Sequence, residues 1–339
     1  MKERLLDYLR CLDCRQPFRL ENAVREAGEI WGGQLICASC RQTYPVHGGI
    51  PRILREHIEP VKQHIATRFG NEWLIFQNLG EGFERDLLEE FIHPLPPAIF
   101  QNARVLEAGC GAGRNIRRAA EYGAREVIGV DLSASVEVAF RKTRDLPNVH
   151  VIQSDIYQIP LVRDFDVVFS AGVLMILPDP RKGFETVCQH ARPGGWVVNT
   201  VYGKENNEWL EKYVTPLRVR ITRYLPTAVL YALSFLLACP AYLVLFLIYK
   251  PVNEIGFLKP LSSRLFYNDF AYLLYRLGFR VFFAQIYDQL TAPVAFFIPQ
   301  EEVKAWMTGV GLEETVTYWR NKNCWNFSGR KTQETAVPR

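Results

Sequence analysis

The 339-residue chain predicts an α/β fold. A doubly wound, mostly parallel sheet carries a small metal-stapled module in front and an apolar helical insertion behind. Three observations lead there. From Arg104 to Asp131 a short apolar run, a glycine turn, a helical stretch and a second β-branched run ending on an acid follow one another. Two Cys-x-x-Cys pairs, Cys11/Cys14 and Cys37/Cys40, sit near the start. The stretch TAVLYALSFLLACPAYLVLFLIY, Thr227 to Tyr249, holds no charge.

Composition sets the bounds. A hydrophobic content of 48% with 22% charged residues is that of a globular chain able to bury a core. The net charge of +4 is spread along the chain, whereas a nucleic-acid binder masses its basic residues on one face. No nucleic-acid partner is therefore expected. The opening run MKERLLDYLRCLDC carries charges throughout and lacks a signal-peptide core. That predicts a cytoplasmic chain whose eight cysteines serve as thiols or metal ligands rather than disulfides.

The two Cys pairs are separated by 22 residues. Each pair lets two thiolates reach one ion from a tight turn, and two pairs complete a tetrahedral zinc site. A module this small has too little core to fold without a staple, so the zinc would be structural. The run Tyr44-Pro45, Gly49-Ile50-Pro51 and Leu54 resembles the end of a zinc-ribbon family of small methyltransferase activators. That resemblance implies a structural or docking role for the module. Cys110, Cys188, Cys239 and Cys324 stand alone and read as small apolar residues.

In the central unit, Gly109, Gly111 and Gly113 permit tight turning and close approach of a ligand. The spacing is G-x-G-x-G, not the G-x-G-x-x-G of the dinucleotide fingerprint. Glu107 lies just before the loop, where it would repel a pyrophosphate and suit a cation. Asp131 ends the next strand 18 residues after the loop, placed for ribose hydroxyls. Asp155 follows a third strand, FDVVFSAGV supplies a fourth, and RPGGWVVNTVYG a turn and a fifth.

With these motifs in this order, residues 104–202 resemble the core of the class I S-adenosylmethionine-dependent methyltransferases, a Rossmann-like fold with a seven-stranded sheet. The resemblance implies that Glu107, Gly109, Gly111 and Gly113 cradle the methionine part of S-adenosylmethionine. Asp131 and Leu132 would take the ribose, Asp155 and Ile156 the adenine, and Ser170 and Ala171 would floor the pocket. A surface Asp131 and a helix-capping Asp155 are the plainer alternatives. Where many relatives carry a histidine, this chain has Gly172-Val173-Leu174-Met175-Ile176-Leu177, which excludes a histidine base there. Upstream, Phe69-Gly70-x-x-Trp73 either covers the pocket or packs a linker helix on the core.

RVFFAQIY (280–287) reads as a strand or a bridging segment. Pro299-Gln300-Glu301-Glu302 opens a helix, and LEETVTYWRN and NFSGRK are strands closing the sheet. Residues 204–277 are then an insertion. Both of its flanks belong to one sheet, so Thr227–Tyr249 cannot be a single membrane span. It is expected as a buried helical lid or as a hairpin broken near Cys239-Pro240 that dips into one leaflet. Peripheral membrane contact would run through 224–250. An apolar insertion beside the pocket implies a small hydrophobic or lipid-like acceptor. Asp288, in YDQLTAP, is the leading acid/base candidate, with a capping or turn role as the alternative. The rival readings are a ribosomal-RNA-type methyltransferase and a non-catalytic zinc-ribbon interaction protein. The expected divisions are a zinc ribbon (1–56), linker helices (57–103), a cofactor-binding core (104–203), the insertion (204–277), the end of the sheet (278–330) and a flexible tail (331–339).

Overall fold

The computed structural model describes residues 1–79 and 84–332; most of the expected tail lies outside them. Strands β1 (Phe18–Glu26), β2 (Glu29–Cys37), β3 (Thr43–His47) and β4 (Ile50–Pro51) form an antiparallel sheet in sequence order. The Cys-x-x-Cys turns precede β1 and follow β2 as matching knuckles. Arg15 N donates to Cys11 O and Arg41 N to Cys37 O. Each knuckle turns through a left-handed residue, Arg15 at φ 60° and Arg41 at φ 64°.

This module is welded to the larger domain. Ile53 N donates to Gln153 O at 2.9 Å and Arg10 N to Pro160 O at 2.8 Å. Arg15 bonds the Ile159 carbonyl at 3.0 Å. The buried Leu5, Leu9, Ile30 and Leu35 share one apolar core with Ile152, Ile156 and Leu161.

Helices α1 (Pro60–Ile75) and α2 (Glu84–Ile92) lead into the main domain. Its units are β5 (Arg104–Ala108), α3 (Arg114–Glu121), β6 (Glu126–Asp131), α4 (Val136–Thr143), β7 (Val149–Gln153), β8 (Phe165–Ala171), α5 (Pro180–Gln189) and β9 (Ala191–Tyr202). After the insertion come α11 (Gln300–Gly309), β10 (Leu312–Arg320) and β11 (Cys324–Lys331). The seven-stranded sheet runs β7-β6-β5-β8-β9-β11-β10, with β11 antiparallel to both neighbours. The order reverses between β5 and β8, and a cleft opens beyond the strand ends at such a switch point. β5 and β6 are buried on both faces, as their continuous apolar runs require.

The insertion holds α6 (Thr215–Arg220), α7 (Thr227–Val244), α8 (Lys250–Glu254) and α9 (Asn268–Leu277), with α10 (Phe279–Thr291) packed against α7. Three expectations fail here. RVFFAQIY is helical: Phe282, Phe283, Tyr287 and Leu290 form a buried helical stripe, and that packing overrides the local β preference of its residues. Pro240 does not break α7, which continues through a π turn at Leu245–Tyr249 into α8. An interior proline costs a helix about 3 kcal/mol, and packing on α10 offsets it. Nor is α7 a buried lid. Only Leu230, Ser234, Ala238 and Leu245 are buried along its length, so a narrow strip meets α10 and most of the helix is open.

Candidate active site

A cavity of about 320 Å³ opens at the switch point, between the glycine loop and α9–α10. The loop is shaped by close approach. Gly109 has φ 84°, and a Cβ there would lie 2.5 Å from Val173. Gly111 has φ 50° and faces the Trp73 indole. Both line the cavity. Gly113 does not; its left-handed φ of 80° starts α3, and a Cβ would strike Ala139 on α4 at 2.8 Å. Its part is helix packing rather than contact with a ligand.

Glu107 ends β5 with one oxygen accepting from Asn115 Nδ2 at 2.7 Å and the other buried without a partner. Burial pushes this carboxyl up to about 8. An orphaned, desolvated carboxylate oxygen facing a cavity fits a cationic ligand. Asp131 accepts from Gly111 N at 2.9 Å, Ser133 N at 2.8 Å and Ser133 Oγ at 2.7 Å. Those bonds hold its carboxylate rigid at the cavity wall beside Leu132.

Asp155 lines the wall with Ile156 but is engaged already. It accepts from Tyr157 N at 2.9 Å, capping the turn, and from Lys62 Nζ at 3.1 Å. The capping alternative for Asp155 therefore describes the geometry, while its cavity position is kept. Ala171 lines the cavity. Ser170 lies behind it, fully buried, donating to Ala108 O at 2.8 Å. It joins β8 to β5 instead of flooring the pocket.

Phe69 and Trp73 of α1 line the cavity, and Arg114 stacks over the Trp73 ring at 4.8 Å. Both aromatics form part of the cavity wall, and Gly70 between them packs against Ser133 and Ala134. No histidine lines the cavity among the described residues.

At the far end α10 brings Asp288 into the cavity. Its Oδ2 accepts from Tyr202 OH at 3.2 Å. Burial raises this carboxyl to about 6, against the lowering influence of the Tyr202 bond and of Arg218. Sequence reasoning missed the partner acid, Glu72 on α1. Glu72 is buried, lines the same cavity and has an oxygen without a partner. Burial and then the Asp288 charge push it well above the usual carboxylate range. A single glutamate in a linker helix gives no local signal of this role; only the fold brings α1 and α10 together.

In the module the four Cys Sγ atoms lie within 4.8 Å of one another. Cys11–Cys40 is 3.5 Å and Cys14–Cys37 is 3.3 Å. Tetrahedral zinc with bonds of about 2.3 Å would set its sulfurs about 3.8 Å apart. The cluster therefore fits a structural zinc ion.

Comparison with known proteins follows this division. Residues 105–195 match the family described as Methyltransferase domain, and residues 2–49 match the Trm112p-like protein family. The tRNA U34 carboxymethyltransferase of Shewanella loihica is 31% identical over 43% of this chain and 46% of its own length. Its Shewanella oneidensis counterpart is 30% identical over 45% and 48%. The chain thus spans about half the length of the curated relatives it matches. A solved S-adenosylmethionine-dependent methyltransferase from Mesorhizobium loti is 26% identical, covering 42% of this chain and 58% of its own, with a TM-score of 0.31. The relatives' names overturn the expectation of a small hydrophobic acceptor and no nucleic-acid partner, because both are named for a tRNA nucleoside. A modest net charge says nothing about where the basic residues gather. The chain joins a Trm112p-like module to a class I S-adenosylmethionine-dependent methyltransferase domain.

Proposed function

We propose that the chain methylates a base in a structured RNA of the tRNA class, using S-adenosylmethionine. The observation that carries the cofactor half is the orphaned Glu107 oxygen beside the glycine loop. The matched relatives support the RNA half. A base has two apolar faces and a polar edge. The far end of the cavity offers both kinds of surface, with Phe270, Leu274 and Val281 near Gln285, Asp288 and Arg320.

Bound in this cavity, S-adenosylmethionine supplies a methyl group on a sulfonium, already a good leaving group. Glu107 would hold its cationic portion and Asp131 its ribose, while Trp73 screens that end from water. Methyl transfer then depends chiefly on alignment of the two partners. The Glu72–Asp288 pair would hold the acceptor's proton. Burial disfavours charging both carboxyls, so one is protonated and the other is free to accept.

The test uses a tritiated methyl donor with total tRNA. Label in RNase-sensitive, acid-insoluble material is expected. Label that resists RNase would overturn the RNA acceptor. Asp131→Ala should weaken S-adenosylmethionine binding by tenfold or more, since charge-assisted bonds contribute about 1.5–3 kcal/mol. Unchanged affinity by calorimetry would overturn the cofactor site.

A further inference from the structure

The active site leaves the surface of the insertion unused. From Thr227 to Glu254 the chain is one helical rod of 28 residues, of which 17% of the most apolar stretch is buried. Leu236 is 69% exposed, Leu247 59% and Leu243 55%. No charged side chain interrupts this face between Arg223 and Lys250. Aromatic residues flank it, Tyr224 at 66% and Phe257 at 82% exposure. A soluble surface does not keep such a continuous apolar face without a partner.

Charge selects the partner. Outside buried Arg218, the segment from Lys212 to Arg264 carries Lys212, Arg220, Arg223, Lys250, Lys259 and Arg264 against one acid, Glu254. That surplus of five exceeds the +4 of the whole chain. The cations bracket both ends of the apolar rod, where Arg223 packs on Tyr224 and Lys250 on Phe246. A second copy pairing through this face would set cationic ends against cationic ends. An RNA would meet the cations and leave Leu236, Leu243 and Leu247 in water. An anionic bilayer satisfies both at once: acyl chains take the leucines and headgroups take the arginines and lysines. Both flanks of the insertion enter the same sheet, through β9 before it and β10 after it, so the rod would lie in one leaflet rather than cross.

We infer that the exposed face of Thr227–Glu254 is a docking surface for an anionic lipid bilayer, holding the cavity mouth beside the membrane. Flotation of the full chain with phosphatidylcholine vesicles, with and without phosphatidylglycerol, tests this. The chain should float with the phosphatidylglycerol vesicles and much less with neutral ones. Combined Leu236→Ser, Leu243→Ser and Leu247→Ser should cut the bound fraction at least tenfold while S-adenosylmethionine affinity stays unchanged, which shows an intact fold. Arg220→Gln with Arg223→Gln should erase the preference for anionic vesicles. A chain that stays in the soluble fraction with both vesicle types would overturn the inference. So would a dimer by light scattering that the triple serine variant turns into monomer, or retention of tRNA that this variant abolishes. The RNA-acceptor proposal stands or falls separately on the RNase test.

Discussion

Glu107 shows how a single residue can be poor for the fold and good for a ligand. Its carboxyl, raised to about 8 by burial, takes up a proton on folding at neutral pH. The unfolded value is the ordinary one near 4, so the penalty grows as pH rises from there to about 8. Glu107→Gln keeps an oxygen for Asn115 and removes that penalty. The ligand-free variant should melt several degrees higher than the parent at pH 8, with no difference at pH 4. Its S-adenosylmethionine affinity should fall more than tenfold. In the parent, affinity should rise with pH up to about 8, because binding a cation requires the ionised form, and this slope should vanish in the variant. Calorimetry across pH reads both effects. The Glu72–Asp288 pair is tested differently. Asp288→Asn should lower kcat by about two orders of magnitude, a general-base contribution, and leave cofactor affinity within twofold. The acid limb of the rate, falling below about pH 6 for the parent, should disappear.

Among the elements, the zinc module reaches the cofactor wall through a short relay. Arg52 donates to Gln153 Oε1 at 2.9 Å, and Gln153 Nε2 donates to the Leu132 carbonyl at 3.0 Å. Cys14→Ser with Cys37→Ser should abolish zinc binding measured by metal analysis. It should also lower the melting temperature, because a metal-stapled module derives much of its folding energy from the ion. Zinc retained at one per chain would contradict the four-cysteine site. In the insertion, α7 meets α10 through small residues, Ser234 and Ala238. Ala238→Phe should overpack that contact and cost about 1–3 kcal/mol in denaturant unfolding, whereas exposed Leu236→Ser should cost less than about 0.5 kcal/mol. The same pair explains why sequence reading failed on this segment. A residue string that is apolar all round carries no mark of which side is covered, and only the three-dimensional placement of α10 decides it.

For the whole molecule, the sheet was readable because its strands are short, β-branched and bounded by glycine turns and terminal acids. β5, β6, β7, β8 and β9 fall where the motifs put them, and β10 and β11 where the closing hairpin was expected. The residues at the head of the cavity, Glu107, Gly109 and Gly111, were readable for the same reason: they sit at fixed offsets within one βαβ unit. Residues brought in by long-range packing were not. Glu72 on α1 meets Asp288 on α10, more than two hundred positions away, and Ser170 turned out to face β5 rather than the cavity. The charge balance failed for a different reason: a modest total conceals the basic surplus gathered in one contiguous insertion.

The weld between the Trm112p-like module and the larger domain, through Ile53 bonded to β7, Arg15 bonded to the Ile159 carbonyl and the shared core of Leu5, Leu9 and Leu161, has a consequence for mass action. Two separate polypeptides would part on dilution. Here covalent linkage fixes the local concentration of the module beside the methyltransferase domain. Specific activity should therefore stay constant over serial dilution, and adding free module in excess should change nothing.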